Sequence, residues 1–188
     1  MRVLVTGMSG LIGQAVWKEL ESDYELRALN RSALEGVDCV QADISDIGAI
    51  RPAFDGVDQG VHMAAIAHGS PGWEKLLPFN VIGTYNVFEC AKQAGVKRVT
   101  YASSGSTISG YELSEPYKAL SEGRYDDAGD WEDITHECPL HPVGIYGCTK
   151  VWAEALARHY SDSSGMSMIG LRIGAVNDQD RPLQTPQN

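Results

Sequence analysis

The residues of this chain best suited to chemistry are Tyr146 and Lys150 in Tyr146-Gly147-Cys148-Thr149-Lys150, a phenol and a primary amine four positions apart. On a helix such residues share a face, so the Lys150 ammonium can sit beneath the Tyr146 phenol. A free phenol titrates near ~10, and a fixed neighbouring cation favours its anion. The spacing therefore predicts a Tyr146 drawn toward neutrality and able to give or take a proton. By itself the spacing is weak, because a chain with eight tyrosines can carry it by accident. The surrounding sequence has to supply a context.

That context begins at the N-terminus. Thr6-Gly7-Met8-Ser9-Gly10-Leu11-Ile12-Gly13 directly follows the apolar run Val3-Leu4-Val5. Glycines in such a strand–turn–helix allow a tight turn, a close approach of backbone to a pyrophosphate, and close helix–sheet packing. The helix start then offers N–H groups and a positive dipole end to the phosphates. Gly7, Ser9, Gly10, Leu11, Ile12 and Gly13 are accordingly expected to hold a dinucleotide. An acid at the end of the second strand would grip the ribose 2′-hydroxyl of NAD, but Leu29-Asn30-Arg31 stands there. Asn30 has no charge to repel a 2′-phosphate and Arg31 could pair with one, which tilts the expectation toward NADP over NAD. The other reading of Arg31 is a solvated loop residue beside a site that takes either cofactor. Asp43, before Ile44, could hydrogen-bond the adenine amino group, or cap the next helix, although Ser45 or Asp46 fits the cap better.

Positioning these groups requires a parallel sheet. Short β-branched runs alternate with longer periodic ones, which predicts an α/β, Rossmann-type doubly wound sheet with helices on both faces. Strands are expected at residues 3–5, 24–29, 37–41, 57–64, 99–103 and 168–173. Helices are expected at 11–20, 46–54, 73–94 and 146–160. Residues 1–176 form one domain in this reading. Residues 110–142, with Pro116, Pro139, Pro142 and several acids, are a long loop over the carboxyl ends of the strands and the active site. Residues 177–188 are an irregular tail.

Composition narrows the class. The 188 residues suffice for one well-buried domain, and 43% hydrophobic with 21% charged residues describes a folded soluble protein. Fifteen basic against 25 acidic side chains leave a net charge of −10, which argues against nucleic acid as a partner. No run approaches the roughly 18 apolar residues of a membrane span, and glycine interrupts the opening run too early for a signal peptide. Cys39, Cys90, Cys138 and Cys148 show no paired spacing, so reduced thiols in a cytoplasmic protein are expected. The five histidines are scattered, and no metal site is expected.

Taken in order, the glycine turn, Asp43-Ile44, His62-Met63-Ala64-Ala65, Asn80-Val81-Ile82-Gly83-Thr84, Ala102-Ser103-Ser104 and Tyr146-x-x-x-Lys150 resemble the extended short-chain dehydrogenase/reductase superfamily, the NAD-dependent epimerase/dehydratase group. The resemblance implies an NAD(P)-dependent oxidoreductase or epimerase acting on a secondary hydroxyl of a sugar or nucleotide sugar. In it Tyr146 is the general acid/base, Lys150 lowers its pKa and holds the nicotinamide ribose, and Ser104, with Ser103 beside it, hydrogen-bonds the reacting oxygen. Met63, Ala64 and Ala65 let the chain pass close to the cofactor. Asn80 joins the cofactor set as a helix residue that buttresses the backbone there. Ala102-Ser103-Ser104 and Leu171-Arg172-Ile173-Gly174 look like the uronate dehydrogenases. Gly105-Ser106 and Ala175 replace the polar residues expected to handle a sugar acid, so uronate specificity is not implied.

Extended members are longer and wall the substrate pocket with a C-terminal part. Here that wall is expected from residues 110–142, from a partner subunit, or from nothing. The resemblance also implies a homodimer through residues 74–94 and 147–160, the latter with Val151, Trp152, Ala155, Leu156 and His159 at helical spacing, a stripe whose other reading is packing on the sheet. The rival expectation is a dinucleotide-binding module that senses NADP(H) without turnover.

Overall fold

The computed structural model describes residues 1–67 and 72–179. Most of the expected irregular tail lies outside the described residues. Six strands, β1 (Arg2–Thr6), β2 (Glu25–Asn30), β3 (Asp38–Gln41), β4 (Gln59–His62), β5 (Arg98–Ser104) and β6 (Ser167–Ile173), form one parallel sheet in the order β3-β2-β1-β4-β5-β6. The chain winds one way from β1 to β3 and the other way from β4 to β6. The crevice at the carboxyl ends of β1 and β4 is therefore the switch point, where such sheets place ligands.

Side chains alternate across the sheet and feed two cores. On one face Val3, Val5, Leu26 and Ala28 pack beneath Val16, Trp17 and Leu20 of α1 (Leu11–Leu20). On the other, Leu4, Leu29, Val99 and Tyr101 meet three helices: α2 (Ile47–Ile50, continued by a 3-10 turn to Phe54), α4 (Thr84–Gln93) and α6 (Gly144–Ser164). Phe88 centres this second core and turns ring edges against His62, Tyr101 and Tyr160. Past β5 the first face loses its cover, because Ile169 and Leu171 on β6 point away from α6 and are 40% and 45% exposed.

Local signals explain the helix ends. Asp46 caps α2, its Oδ1 accepting from the backbone N–H of Gly48 at 2.9 Å and of Ala49 at 3.1 Å. Gly165 ends α6 in the left-handed conformation, at φ 70°. The single helix expected over residues 73–94 is instead composite: α3 (Trp73–Leu76), a π-helical stretch (Leu77–Gly83), then α4. Pro78 at the start of that stretch has no N–H to donate, so the regular ladder breaks there.

Residues 110–142 contain short helical turns, including α5 (Tyr117–Ser121), and are tied largely to one another. Arg124 pairs with Glu115, Glu122 and Asp127. Tyr111 stacks edge-on against Tyr117 and His141 and donates to Pro139 O, while Tyr117 donates to Glu132 O. The excursion is stitched to its root by Gly110 N–H to His141 O at 2.8 Å and His141 N–H to Thr107 O at 2.9 Å. Among the described residues no helix is long and apolar enough to cross a membrane.

Candidate active site

Three glycines shape the turn between β1 and α1, each by a different contact. Gly7 has φ +70°, and a Cβ there would lie 2.8 Å from the Ala64 backbone. A Cβ on Gly13 would lie 2.2 Å from Gly7 O, so α1 can pack this close to the turn only with glycine. Gly10 donates its N–H to Gly7 O at 3.0 Å and opens α1, which carries no side-chain cap. The first N–H groups of a helix have no intrahelical acceptor and suit an anion.

Two cavities meet at this turn. The first, about 430 Å³, runs over the ends of β1 to β4 and is lined by Gly7, Ser9, Gly10, Asn30, Arg31, Asp43, Ile44, Met63, Ala64 and Ala65 among others. The second, about 560 Å³, runs the other way and includes Leu11, Ile12, Gly13, Ser104, Tyr146 and Lys150. Gly7, Gly10, Met63 and Ala65 line both, so the two form one groove across the switch point.

A dinucleotide fits the first cavity on the chemistry present. Asn30 is a buried residue of the cavity wall, and neither Nδ2 nor Oδ1 has a protein partner. Unpartnered buried amides are costly, and a polar ligand would relieve that cost. Asp43 Oδ1 is occupied by the Ser45 N–H at 2.8 Å and the Ser45 hydroxyl at 2.7 Å, leaving its other oxygen the one to meet a ligand. Arg31 is exposed at the rim, its guanidinium carbon 5.4 Å from the centroid of the Phe79 ring.

Asn80 lines neither cavity and stands as a buttress behind the first. It is 2% exposed and sits behind the wall, its Oδ1 accepting from Ile66 N–H at 2.8 Å and its Nδ2 donating to Ile66 O at 3.0 Å. Nδ2 also reaches Thr149 Oγ1 at 3.3 Å, and that hydroxyl donates to Tyr146 O at 2.7 Å. A residue on the π-helical stretch thus joins the cofactor-side wall to the helix bearing Tyr146.

The second cavity gathers the expected catalytic set. The Tyr146 phenol is hydrogen-bonded by the Ser104 hydroxyl, whose oxygen also accepts from Ser106 N–H at 3.1 Å. Lys150 is 7% exposed, donates from Nζ to Ala102 O at 2.8 Å, and lies 5.7 Å from the Tyr146 ring centroid. The pKa expectation for Tyr146 reverses. Burial pushes the phenol above its usual value, and the Ser104 hydrogen bond offsets only part of this. Lys150 has aimed its ammonium at the Ala102 carbonyl rather than the phenol oxygen, and burial brings its own pKa down to about 8. Ser103 lines the cavity, but its hydroxyl is turned to Glu154 at 2.5 Å.

Several participants had no assigned role in the sequence. His62 is buried between Thr6 and Thr84, at 2.7 Å from Thr6 Oγ1 to Nδ1 and 3.3 Å from Nε2 to Thr84 Oγ1. Thr6 Oγ1 also accepts from Ala64 N–H at 3.2 Å, so this relay pins the segment that floors the groove. Burial first, and then the Lys150 charge, bring His62 down to about 3 and keep it neutral. Glu154 and Arg172 were equally missed, although Glu154 repeats the four-residue step from Tyr146 to Lys150. Residues 110 to 142 line neither cavity, so the wall expected of them is not there; Ser106, ahead of the excursion, lines the second.

Comparison with known proteins agrees with this geometry. The model of the NAD dependent epimerase/dehydratase family matches residues 3–177. An L-arabinose 1-dehydrogenase (NAD(P)(+)) of Haloferax volcanii is 33% identical over 92% of this chain and 66% of its own length. An NAD-dependent glucose-6-phosphate dehydrogenase of the same organism is 31% identical over 97% of this chain and 71% of its own. A mutant uronate dehydrogenase from Agrobacterium tumefaciens, solved in complex with NAD, superposes with a TM-score of 0.73 at 32% identity, covering 89% of this chain and 58% of that one. The chain thus spans about two thirds or less of the first of these relatives and of the solved structure.

Proposed function

The chain belongs to the NAD dependent epimerase/dehydratase family, and from that footing we propose that it is an NAD(P)-dependent dehydrogenase or epimerase working on a secondary hydroxyl of a sugar or nucleotide sugar. The observation that carries this reading is the convergence of Ser104, Tyr146 and Lys150 in a cavity that continues into the glycine turn. Bound in that groove, the nicotinamide would supply the hydride acceptor or donor. Gly7, Ser9, Gly10, Leu11, Ile12 and Gly13 hold the phosphates, and Asn30 and Asp43 the adenosine half. Arg31, with no nearby acid at Asn30 to compete, favours a 2′-phosphate and hence NADP over NAD.

The chain's own residues handle the proton. The Ser104 hydroxyl orients the reacting oxygen and the Tyr146 phenol. Tyr146 takes the hydroxyl proton in oxidation and returns one in reduction. Its raised pKa has a direction: oxidation needs the phenolate and so gains rate as pH rises through the alkaline range, whereas reduction needs the phenol and loses rate there. Lys150 holds the nicotinamide ribose and, with a pKa near 8, is easily deprotonated in the same range. In the second cavity Ile173, Gly174, Ala175 and Val176 form an apolar stretch alongside the polar groups of Ser104, Ser106, Tyr146 and Lys150. A second copy of the chain would dock on α4 and α6, where Tyr85, Ala155 and His159 are exposed.

The test is reduction of NAD⁺ or NADP⁺ by the purified protein over a panel of neutral aldoses, sugar acids and nucleotide sugars. Turnover is expected with a sugar or nucleotide sugar of the panel, and Tyr146→Phe should lower it about 10²–10⁴-fold, the usual contribution of a general acid/base. Turnover that survives in Tyr146→Phe overturns the reading.

A further inference from the structure

Glu154 stands one four-residue step beyond Lys150, so Tyr146, Lys150 and Glu154 mark successive turns of one face of α6. Each meets one of three consecutive residues at the end of β5. The Tyr146 phenol is bonded by Ser104, the Lys150 ammonium donates to Ala102 O at 2.8 Å, and the Ser103 hydroxyl donates to Glu154 Oε1 at 2.5 Å. Arg172, the register partner of Ser103 on β6, donates from Nε to Oε1 at 2.9 Å and from Nη2 to Oε2 at 2.8 Å. Two parallel bonds from a planar guanidinium fix the orientation of a carboxylate as well as its charge. Burial works against the Glu154 charge, but the Arg172 and Ser103 hydrogen bonds outweigh it and hold the carboxyl below its ordinary value.

Glu154 does not line the cavity, whereas Ser103, Ser104, Tyr146 and Lys150 do. We propose that Glu154 is a positioning residue: by gripping Ser103 and Arg172 together it fixes the height of α6 along β5, and with it the placement of the Tyr146 phenol and Lys150 ammonium against Ser104. The inference rests on reading Tyr146 as the proton carrier. A contact that merely glued α6 to the sheet would need Arg172 alone. Here the carboxylate also engages Ser103, the residue between the two that hold Lys150 and Tyr146. Small displacements at a reacting centre are expensive, with about 1 Å able to cost roughly 100-fold in rate.

Two variants separate positioning from plain stabilisation. Glu154→Gln keeps the size but turns an amide donor toward the guanidinium, and Ser103→Ala removes only the hydroxyl. Tyrosine labelled at Cζ gives a readout that needs no substrate, the Tyr146 resonance being the one missing in Tyr146→Phe. Both variants are expected to move that resonance and raise its titration midpoint, because a loosened Ser104 contact leaves burial less opposed. The double variant should move it no further than Glu154→Gln alone, as expected of residues acting as a unit. With a turned-over sugar, kcat should fall about 10- to 100-fold while KM stays within about twofold. Variants that melt at lower temperature yet keep the wild-type Tyr146 resonance and midpoint overturn the proposal. Should Glu154→Gln not fold, Ser103→Ala decides by the same resonance. A wild type with no turnover would contradict the proposed activity but leave this titration decisive.

Discussion

Lys150 shows how the spacing of a residue along a helix can name its neighbours and still miss its electrostatics. Spacing along a helix states which side chains are neighbours, but not how much water a fold removes from them. In the structure desolvation dominates, raising Tyr146 and bringing Lys150 from 10.5 to about 8, on the order of 3 kcal/mol between its two protonation states. The sign of the consequence is definite. Below about 8 both folded and unfolded chains hold the Lys150 proton, and the full cost of burying the charge is present. Between about 8 and 10.5 the unfolded chain binds more protons, so stability rises with pH. Denaturant melts of wild type and Lys150→Met across that range are therefore expected to show wild type gaining relative to the variant. A difference that stays flat with pH would remove the buried ammonium from the account. His62 works in the acid range by the same rule: with a folded pKa near 3 against 6.5, it withdraws stability as pH falls below 6.5.

At the scale of elements, the interruption in a helix is as informative as the helix itself. The periodicity of residues 73–94 is that of one amphipathic helix, and nothing in it marks a π-helical stretch except Pro78. Yet the stretch carries Asn80, whose amide satisfies both backbone groups of Ile66 and reaches Thr149 on α6. Asn80→Ala leaves a buried N–H and a carbonyl without partners, at about 1–3 kcal/mol each. Urea unfolding is expected to report a loss of about 2 kcal/mol or more, with weaker nucleotide binding because Ile66 lines the first cavity. Native-like stability would mean that water replaces the amide. The strands were legible because buried parallel strands read as short apolar runs, and the start of α2 because Asp46 has only local work to do. Residues 110–142 were not legible: the Tyr111–His141, Tyr111–Pro139 and Tyr117–Glu132 contacts join positions too far apart in sequence for any period to display.

For the whole molecule, one groove crosses the switch point of a six-stranded parallel sheet, with one half over β1 to β4 and the other, which holds Ser104, Tyr146 and Lys150, over β5 and α6. Ordered motifs made that arrangement readable from the chain, since five of the six supply a lining residue to the groove and the sixth, Asn80 to Thr84, stands behind it. What they could not display is the support behind the wall, the His62 relay and the Glu154–Arg172 pair, because those contacts exist only once the sheet has assembled. Cofactor choice belongs to this scale too, since it depends on the exposed rim of the groove within a protein of net charge −10. Arg31→Ala is expected to weaken NADPH by about 10-fold or more, the worth of one charge-assisted bond, while NADH changes little. Equal losses for both would remove Arg31 from phosphate recognition. The most direct measurement is a titration of the purified chain with NADH, following the emission of the reduced nicotinamide. A saturable, blue-shifted rise is expected for wild type and for Tyr146→Phe, and none for Gly13→Ala, whose Cβ would lie 2.2 Å from Gly7 O. No saturable change in wild type, or an undiminished one in Gly13→Ala, would contradict a dinucleotide seated on this turn.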